Sequence, residues 1–504
     1  MMPAEGVDIL LVMMPPWGII NPPLGPAYLA TNLAKAGFNA EILDVNITLY
    51  QSVTGADREL WQISEDNQWR NPERVADFAD RWESAINAVI EKLATSSAPI
   101  IGLSVIDPNE IITARLVKAL KIRCPEKTII GGGPACQAHG QRAFLQELSD
   151  QSFDYFIIGE GEKALVRFLQ AFKQSEIISQ DVQVVKGDDD QDIARKMVPL
   201  DMTEIAYPTF TEFDMSHYGG ESFALLWSRG CIGRCLYCKE RSTWGHYRVR
   251  PVESIIEELT FLKNNYHVSN FVVYDSAVNG NGAHLAQVCK EIIAKGLKIT
   301  WSAEAIALPS MSPELLQLMK KAGCHTLVYG IESGSDSVLK AMGKLSSAKT
   351  AGEAIKNTSQ AGIRVAINIL VGFPGEREEE FAQTLAFLKT HAPSIDRLDS
   401  VSTLQVVTDT PLWQRIEQFG VVLPEKEPHD RWYTEDKSNT WDIRQQRLQK
   451  VLSVVSEYGI EIGRTFLDDR SSIQTDTGSL SIKSALRRAD RFLRSWAGKV
   501  GNKT

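Results

Sequence analysis

Three cysteines carry the first chemical signal. The stretch CIGRCLYC, residues 231–238, holds Cys231, Cys235 and Cys238 out of seven cysteines in a chain of 504 residues. The other four, Cys124, Cys136, Cys289 and Cys324, stand singly. Three thiolates spaced four and three residues apart on one loop can converge on one metal centre. A closed structural zinc site takes four ligands, often from paired CxxC knuckles. No second knuckle follows here, and His246 is a single candidate for a fourth ligand. Three sulfurs suit three irons of a cubane cluster, with the fourth iron open to an exogenous ligand. A zinc site closed by His246, and buried uncommitted thiols, are the competing readings.

The rest of the chain limits the setting. An odd cysteine count in a long chain does not read as a disulfide framework, so the compartment should be reducing. The start, MMPAEGVDILLVMMPPWG, lacks the basic residues and the small-residue cleavage site of a signal peptide. No apolar run approaches the roughly 18–20 residues that span a bilayer. The reading is a cytoplasmic protein. Hydrophobic residues make up 43% and charged residues 23%, as expected of a globular chain with a large core. The net charge of −9 offers no basic excess, so a nucleic-acid partner is not expected.

The elements that must position the cysteines follow from alternation. In the first part, apolar runs at 7–14, 40–45, 100–105, 128–133 and 153–161 read as strands. Helical spacing fills 25–37, 75–95, 109–122 and 162–173. Short buried strands separated by helices predict an N-terminal doubly wound, Rossmann-like parallel sheet over 1–175. Residues 176–220, with the acidic run at 186–192 and little periodicity, read as a connector. Alternation then restarts, with strands at 222–228, 271–276, 298–306, 326–333, 365–373 and 399–407. Six strand–helix units over 221–408 predict a (β/α)6 partial TIM barrel, whose function sits at the carboxyl ends of its strands. Residues 409–504 read as a mostly helical C-terminal cap bordering the substrate region. The whole is an α/β protein.

Cys231, Cys235 and Cys238 directly follow the first strand of the second series. In that place CxxxCxxC resembles the radical S-adenosylmethionine (radical SAM) superfamily. The resemblance implies a 4Fe–4S cluster whose open iron binds SAM, and reductive cleavage of SAM to a 5′-deoxyadenosyl radical. It also implies site residues: Tyr237 against the adenine, Glu332 and Ser333 of GIESGS near the ribose or carboxylate, and Ile369 to Val371 beside VGFPGE near the adenine. Asp275 and Ser276 stand where the family has a Gly-Gly-Glu segment and depart from it. Glu304 lies at the mouth of the third strand. For Glu332 and Glu304 a structural ion pair at the rim is the plainer alternative.

The front domain resembles the cobalamin-binding domain of the cobalamin-dependent radical SAM family. PPLGPAYLA, the GGG turn and GEGE carry the likeness. They place Leu24, Gly25, Ser104, Asp107, Asn109, Gly132, Gly133, Gly159 and Glu160 against cobalamin. No GxGxxG or P-loop pattern occurs, and the DxHxxG signature for a lower-axial histidine is absent. The resemblance implies a C-methyltransferase acting on an unactivated carbon through the 5′-deoxyadenosyl radical and methylcobalamin. A radical oxidation, cyclisation or ring rearrangement without methyl transfer is the alternative, and a non-catalytic sensor a third. Substrate class, whether small molecule, lipid or peptide, is open. An electron donor such as flavodoxin or ferredoxin is implied. Trp432, Tyr433 and Trp441 could line a pocket or anchor the core. The basic helix over 481–500 either packs on the protein or touches an anionic membrane surface peripherally.

Overall fold

The computed structural model describes residues 6–62, 65–176, 183–188, 198–219, 222–408, 410–424 and 431–465. The basic segment 481–500 lies outside them. The chain divides into two compact units between Gly220 and Glu221.

In the first unit, β1 (Ile9–Met13), β2 (Ala40–Asp44), β3 (Ile100–Ser104), β4 (Thr128–Gly132) and β5 (Tyr155–Ile157) pair in parallel. The order of these strands in the sheet is β2-β1-β3-β4-β5. Strand residues alternate between two apolar cores. Leu10, Val12, Ile101, Leu103 and Ile129 pack on the helices Pro72–Arg81, Glu83–Thr95 and Glu110–Arg123. Ile9, Leu11, Ile100 and Ile130 face the helices Leu24–Lys35 and Gly161–Gln174. Both faces are covered, which is the doubly wound arrangement expected. The chain leaves β1 in one direction to β2 and returns on the other side with β3. The carboxyl ends of β1 and β3 therefore flank the switch point, where open parallel sheets bind ligands.

Two expectations change here. The stretch 75–95 is two helices, broken at Trp82, whose indole donates to Asp57 at 2.7 Å while Arg81 pairs with the same carboxylate. The sheet also takes a sixth strand, β6 (Val184–Lys186), antiparallel to β5, from the stretch read as connector. Another part of that stretch is tied down by Tyr218, whose hydroxyl donates to buried Asp44 at 2.6 Å.

The second unit is one parallel sheet of β7 (Ser222–Leu225), β8 (Asn270–Val273), β9 (Thr300–Ala305), β10 (Cys324–Glu332), β11 (Arg364–Val371), β12 (Arg397–Thr403) and β13 (Glu461–Thr465), hydrogen-bonded in that sequence. Helices return the chain between strands, started by side-chain caps. Asn281 accepts from His284 N, Ser312 from Leu315 N and Ser347 from Thr350 N. Six strands fall where alternation put them. The seventh, β13, comes from the segment read as helical cap and pairs with β12. Helix Trp441–Glu457 precedes it, and Trp432 is fully buried, donating to Leu404 O at 2.8 Å. Trp432 is therefore a core anchor.

Candidate functional site

The cysteine loop starts where β7 ends. Ser228–Arg229 pairs antiparallel with Arg248–Val249, which fixes the exit of the chain. Gly230 follows at φ 77°, and a Cβ there would lie 2.8 Å from His246 O, so glycine is needed at this turn. The loop then folds on its own sulfurs. Gly233 N donates to Cys231 Sγ at 3.3 Å, and Glu240 N to Cys238 Sγ at 3.5 Å. Leu236 N donates to Met342 O, and Leu236 O accepts from Leu412 N, both at 2.8 Å.

All three cysteines are free and partly buried. A Cβ built on Gly233 would lie 3.3 Å from Cys231 Sγ and 3.8 Å from Cys235 Sγ, so these sulfurs stand within about 7 Å of each other. Burial pushes all three thiols up, Cys238 to about 12, and Cys231 and Cys238 also feel neighbouring thiols. Metal binding, which requires thiolates, would have to overcome that burial. A single tetrahedral ion would draw its sulfurs to about 3.8 Å from one another, given metal–sulfur bonds of about 2.3 Å. Among the described residues no three His, Cys, Asp or Glu side chains are gathered as ligands of a single ion, and His246 is exposed. The donor set fits a polynuclear centre taking one sulfur per iron, and does not fit a closed zinc site.

Beside the loop, the end of β10 is irregular. The register slips between Gly330 and Glu332, and Glu332 adopts φ 67°. A bulged, left-handed non-glycine residue is strained backbone of the kind found at functional sites. Its carboxylate meets Lys344 Nζ at 3.4 Å and the hydroxyl of half-buried Tyr237. Tyr237 also hydrogen-bonds Cys235, so the pair sits beside the sulfurs. Glu332 thus pairs with Lys344 and also stands beside the cysteine loop.

The other expected SAM contacts divide. Asp275 is buried and both its oxygens are engaged, by Trp227 N at 2.8 Å and by the Ser228 hydroxyl. It pins β8 to the start of the cysteine loop, and burial raises it to about 6. Ser276 donates to Glu240, which follows Cys238 closely. Ser333 is buried, within hydrogen-bond reach of Thr384 at 3.0 Å. Glu304 is exposed at the end of β9, its carbonyl accepting from Val278 N at 2.9 Å. Ile369 and Val371 are buried in β11, with Ile369 in register with Glu332.

Several residues here escaped sequence reasoning. Lys344 is one of them; the left-handed Gly343 before it stops a helix and turns the chain. Glu376, Asn439, Arg444 and Arg447 fix the loop after β11. Glu376 accepts from Gly372 N at 2.7 Å and pairs with Arg447 at 2.9 Å, both side chains buried. Asn439 donates to Gly372 O and Phe373 O, and Arg444 lies 3.9 Å over Trp432. The signal available was two arginines three apart on the helix Trp441–Glu457, hence on one face.

In the first unit, Gly25, Ser104 and Gly132 come together at the switch point. Ser104 is in register with Met13 and with Gly132, and a Cβ on Gly25 would lie 3.9 Å from Ser104 Oγ. Gly133, at φ 103°, passes so close to Val105 that a Cβ would lie 2.6 Å from its carbonyl oxygen. Asn109 is fully buried and spent on the scaffold, accepting from Ile106 N and donating to Met14 O. Glu160 is buried and accepts from Leu200 N at 2.6 Å. Gly159 N donates to Gln137, Asp107 pairs with Arg70 at the surface, and Leu24 is buried.

Residues 225–388 match the Radical SAM superfamily. An uncharacterised methyltransferase of Pyrococcus horikoshii is 24% identical over 397 residues, covering 75% of this chain and 77% of the relative. An anaerobic magnesium-protoporphyrin IX monomethyl ester cyclase of Synechocystis is 26% identical over 300 residues, 58% of this chain and 60% of that one. The solved structure of the radical S-adenosylmethionine methyltransferase TsrM from Kitasatospora setae, with cobalamin and a 4Fe–4S cluster bound, aligns with a TM-score of 0.69 at 16% identity. The alignment covers 98% of this chain and all of that one.

Proposed function

From the premise that this chain is a radical SAM enzyme with the fold of the cobalamin-dependent members, we propose that it methylates an unactivated carbon, using a 4Fe–4S cluster, SAM and cobalamin. When bound, these groups supply a SAM-derived radical and a methyl-carrying corrinoid. The observation that carries the reading is the three-thiol loop set against Glu332, Tyr237 and Lys344 at the carboxyl edge of the second sheet.

The chain's own residues would bind, orient and shield. Cys231, Cys235 and Cys238 would hold three irons and leave a fourth open. Glu332, aimed by its bulge, offers a carboxylate to the ribose hydroxyls or the amino group of SAM. Tyr237 would pack on the adenine, with the buried backbone from Ile369 to Val371 as the opposite wall. Asp275 and Ser333, engaged with protein donors and hydroxyls, are best assigned to holding strand ends. In the first unit, Gly25, Ser104 and Gly132 leave the switch point bare of bulky side chains, which suits the close approach of a flat corrin. Buried Asn109 and Glu160 would brace that edge. The likeness to solved cobalamin-bound structures supports this placement through the fold.

The test is anaerobic reconstitution of the full chain with iron and sulfide, measurement of iron, sulfide and corrinoid, and mass spectrometry of products with methyl-labelled SAM. Expected are about four irons per chain, corrinoid absorbance, 5′-deoxyadenosine and a product carrying the label. A chain that binds iron and corrinoid yet releases no 5′-deoxyadenosine with any reductant would be a sensor. The cyclase relative favours a second reading, in which a carbon radical closes a ring without methyl transfer. That reading gives 5′-deoxyadenosine and an unlabelled product. The substrate would be a small molecule, lipid or peptide, and the electron a gift of flavodoxin or ferredoxin.

A further inference from the structure

We propose that Lys344 is the fixed counter-charge of the cysteine loop, and that its ammonium sets how readily the cluster accepts an electron. The inference rests on the cluster reading above.

Placement is fixed by the backbone. Gly343, at φ 75°, ends the helix Asp336–Met342, with Gly343 N donating to Lys340 O and Lys344 N to Leu339 O. This stop brings the chain onto the cysteines. Met342 O accepts from Leu236 N, and a Cβ on Gly343 would lie 2.9 Å from Arg234 O and 3.9 Å from Cys235 Cα. Lysines ordinarily carry their heads to water. Here the side chain is only 8% exposed. Gly330 leaves the room for it, since a Cβ there would lie 3.3 Å from Nζ.

The charges around the thiols are unequal. Two carboxylates lie by the loop, Glu240 two residues after Cys238 and Glu332 through the Tyr237 hydroxyl beside Cys235, and Lys344 pairs with the second of them. A buried ammonium is costly, and a carboxylate at 3.4 Å is one compensating charge. Three thiolates would supply the rest. Taking up an electron makes a thiolate-bound cluster more anionic, so a neighbouring cation favours the reduced form and an anion opposes it. Through an effective dielectric near 20, a unit charge shifts such an equilibrium about tenfold at roughly 12 Å and further when closer. The residue before Lys344, Gly343, packs with its Cβ position 3.9 Å from Cys235 Cα, and Glu332 links Lys344 to Tyr237 beside Cys235, which sets the charge at about that range.

The test uses the reconstituted full chain as wild type, K344M, K344R and E332Q. Iron per chain is measured first, followed by an electron-paramagnetic-resonance redox titration without SAM. At the potential that half-reduces the wild-type cluster, K344M should show a reduced-to-oxidised ratio at least about tenfold lower, a 59 mV shift for one electron. K344R should stay within about twofold by the same conversion, and E332Q should shift the opposite way. Wild-type reduction in K344M and E332Q at full iron content overturns the inference, as does an effect confined to the SAM dissociation constant. Should K344M assemble no cluster, an unshifted E332Q overturns it equally. A wild type without iron or signal brings down the cluster reading itself, a distinct result.

Discussion

Replacing Arg447 by methionine should strip the loop after β11 of its main tether. Glu376 is 1% exposed and Arg447 3%, so the pair sits out of water. Breaking a buried pair by removing one partner typically costs about 3–5 kcal/mol. For a unit of this size each kcal/mol moves the melting temperature by about 2–4 °C, which predicts a fall of roughly 6–20 °C. The loss should depend on pH. Burial raises Glu376 to about 7, against the pull of Arg447 and the Gly372 N–H. Its folded pKa lies above the unfolded one, so its contribution to stability is full below about 4.5 and is lost as pH rises through 7. At pH 6 the carboxyl can take a proton and tolerate the missing arginine, whereas at pH 8 it must stay charged or pay for protonation. R447M should therefore lose more at pH 8 than at pH 6, and R447M/E376Q should recover most of it. Differential scanning calorimetry of the three proteins at both pH values decides. Equal losses at the two pH values, or a double variant no better than R447M, would refute the reasoning. Because Val371 borders this loop, the SAM dissociation constant by calorimetry should weaken in R447M.

Cys231→Ala, Cys235→Ala and Cys238→Ala should each lose iron after reconstitution, while Cys289→Ala, at a buried thiol raised to about 12, keeps it; iron assay on folded protein checks this. Gly133→Ala forces a side chain into a left-handed position 2.6 Å from Val105 O. It should destabilise the first unit by at least about 1–2 kcal/mol and lower corrinoid uptake, read from absorbance after gel filtration. Asp275 is raised to about 6, so wild-type stability should fall as pH rises from about 4 to 6. Asp275→Asn, which can still accept from Trp227 N, should flatten that dependence in urea titrations, and an unchanged slope would count against the assignment.

The central strands were legible because parallel strands buried on both faces are plain apolar runs. The helix break at Trp82 was not. Val75 and Phe78 before it, and Ile86 and Val89 after it, face the same core, so the apolar period runs through. Asp57, from 25 residues upstream, draws Arg81 and Trp82 out of line. Strands β6 and β13 were missed because VVK and EIGRT are short edge strands with little apolar pattern, specified by backbone pairing alone. The cysteine motif needed only local spacing. Lys344 required knowing that a left-handed glycine folds the chain back onto Cys235, and Asp275 that a carboxylate at a strand end would be consumed by the neighbouring strand. Charged residues on a sequence show their chemistry but not what they meet.

The tether at Glu376 also has a meaning in time. Ribosomal synthesis runs from the amino end, and domains form as the chain emerges. The three cysteines are made roughly two hundred residues before Arg447 and the strand Glu461–Thr465. The nascent chain therefore carries its thiols outside the exit tunnel well before the helix that fastens the neighbouring loop exists. During that interval the edge of the sheet that carries the cysteines is unfinished, and the helix Trp441–Glu457 fastens its neighbouring loop only afterwards.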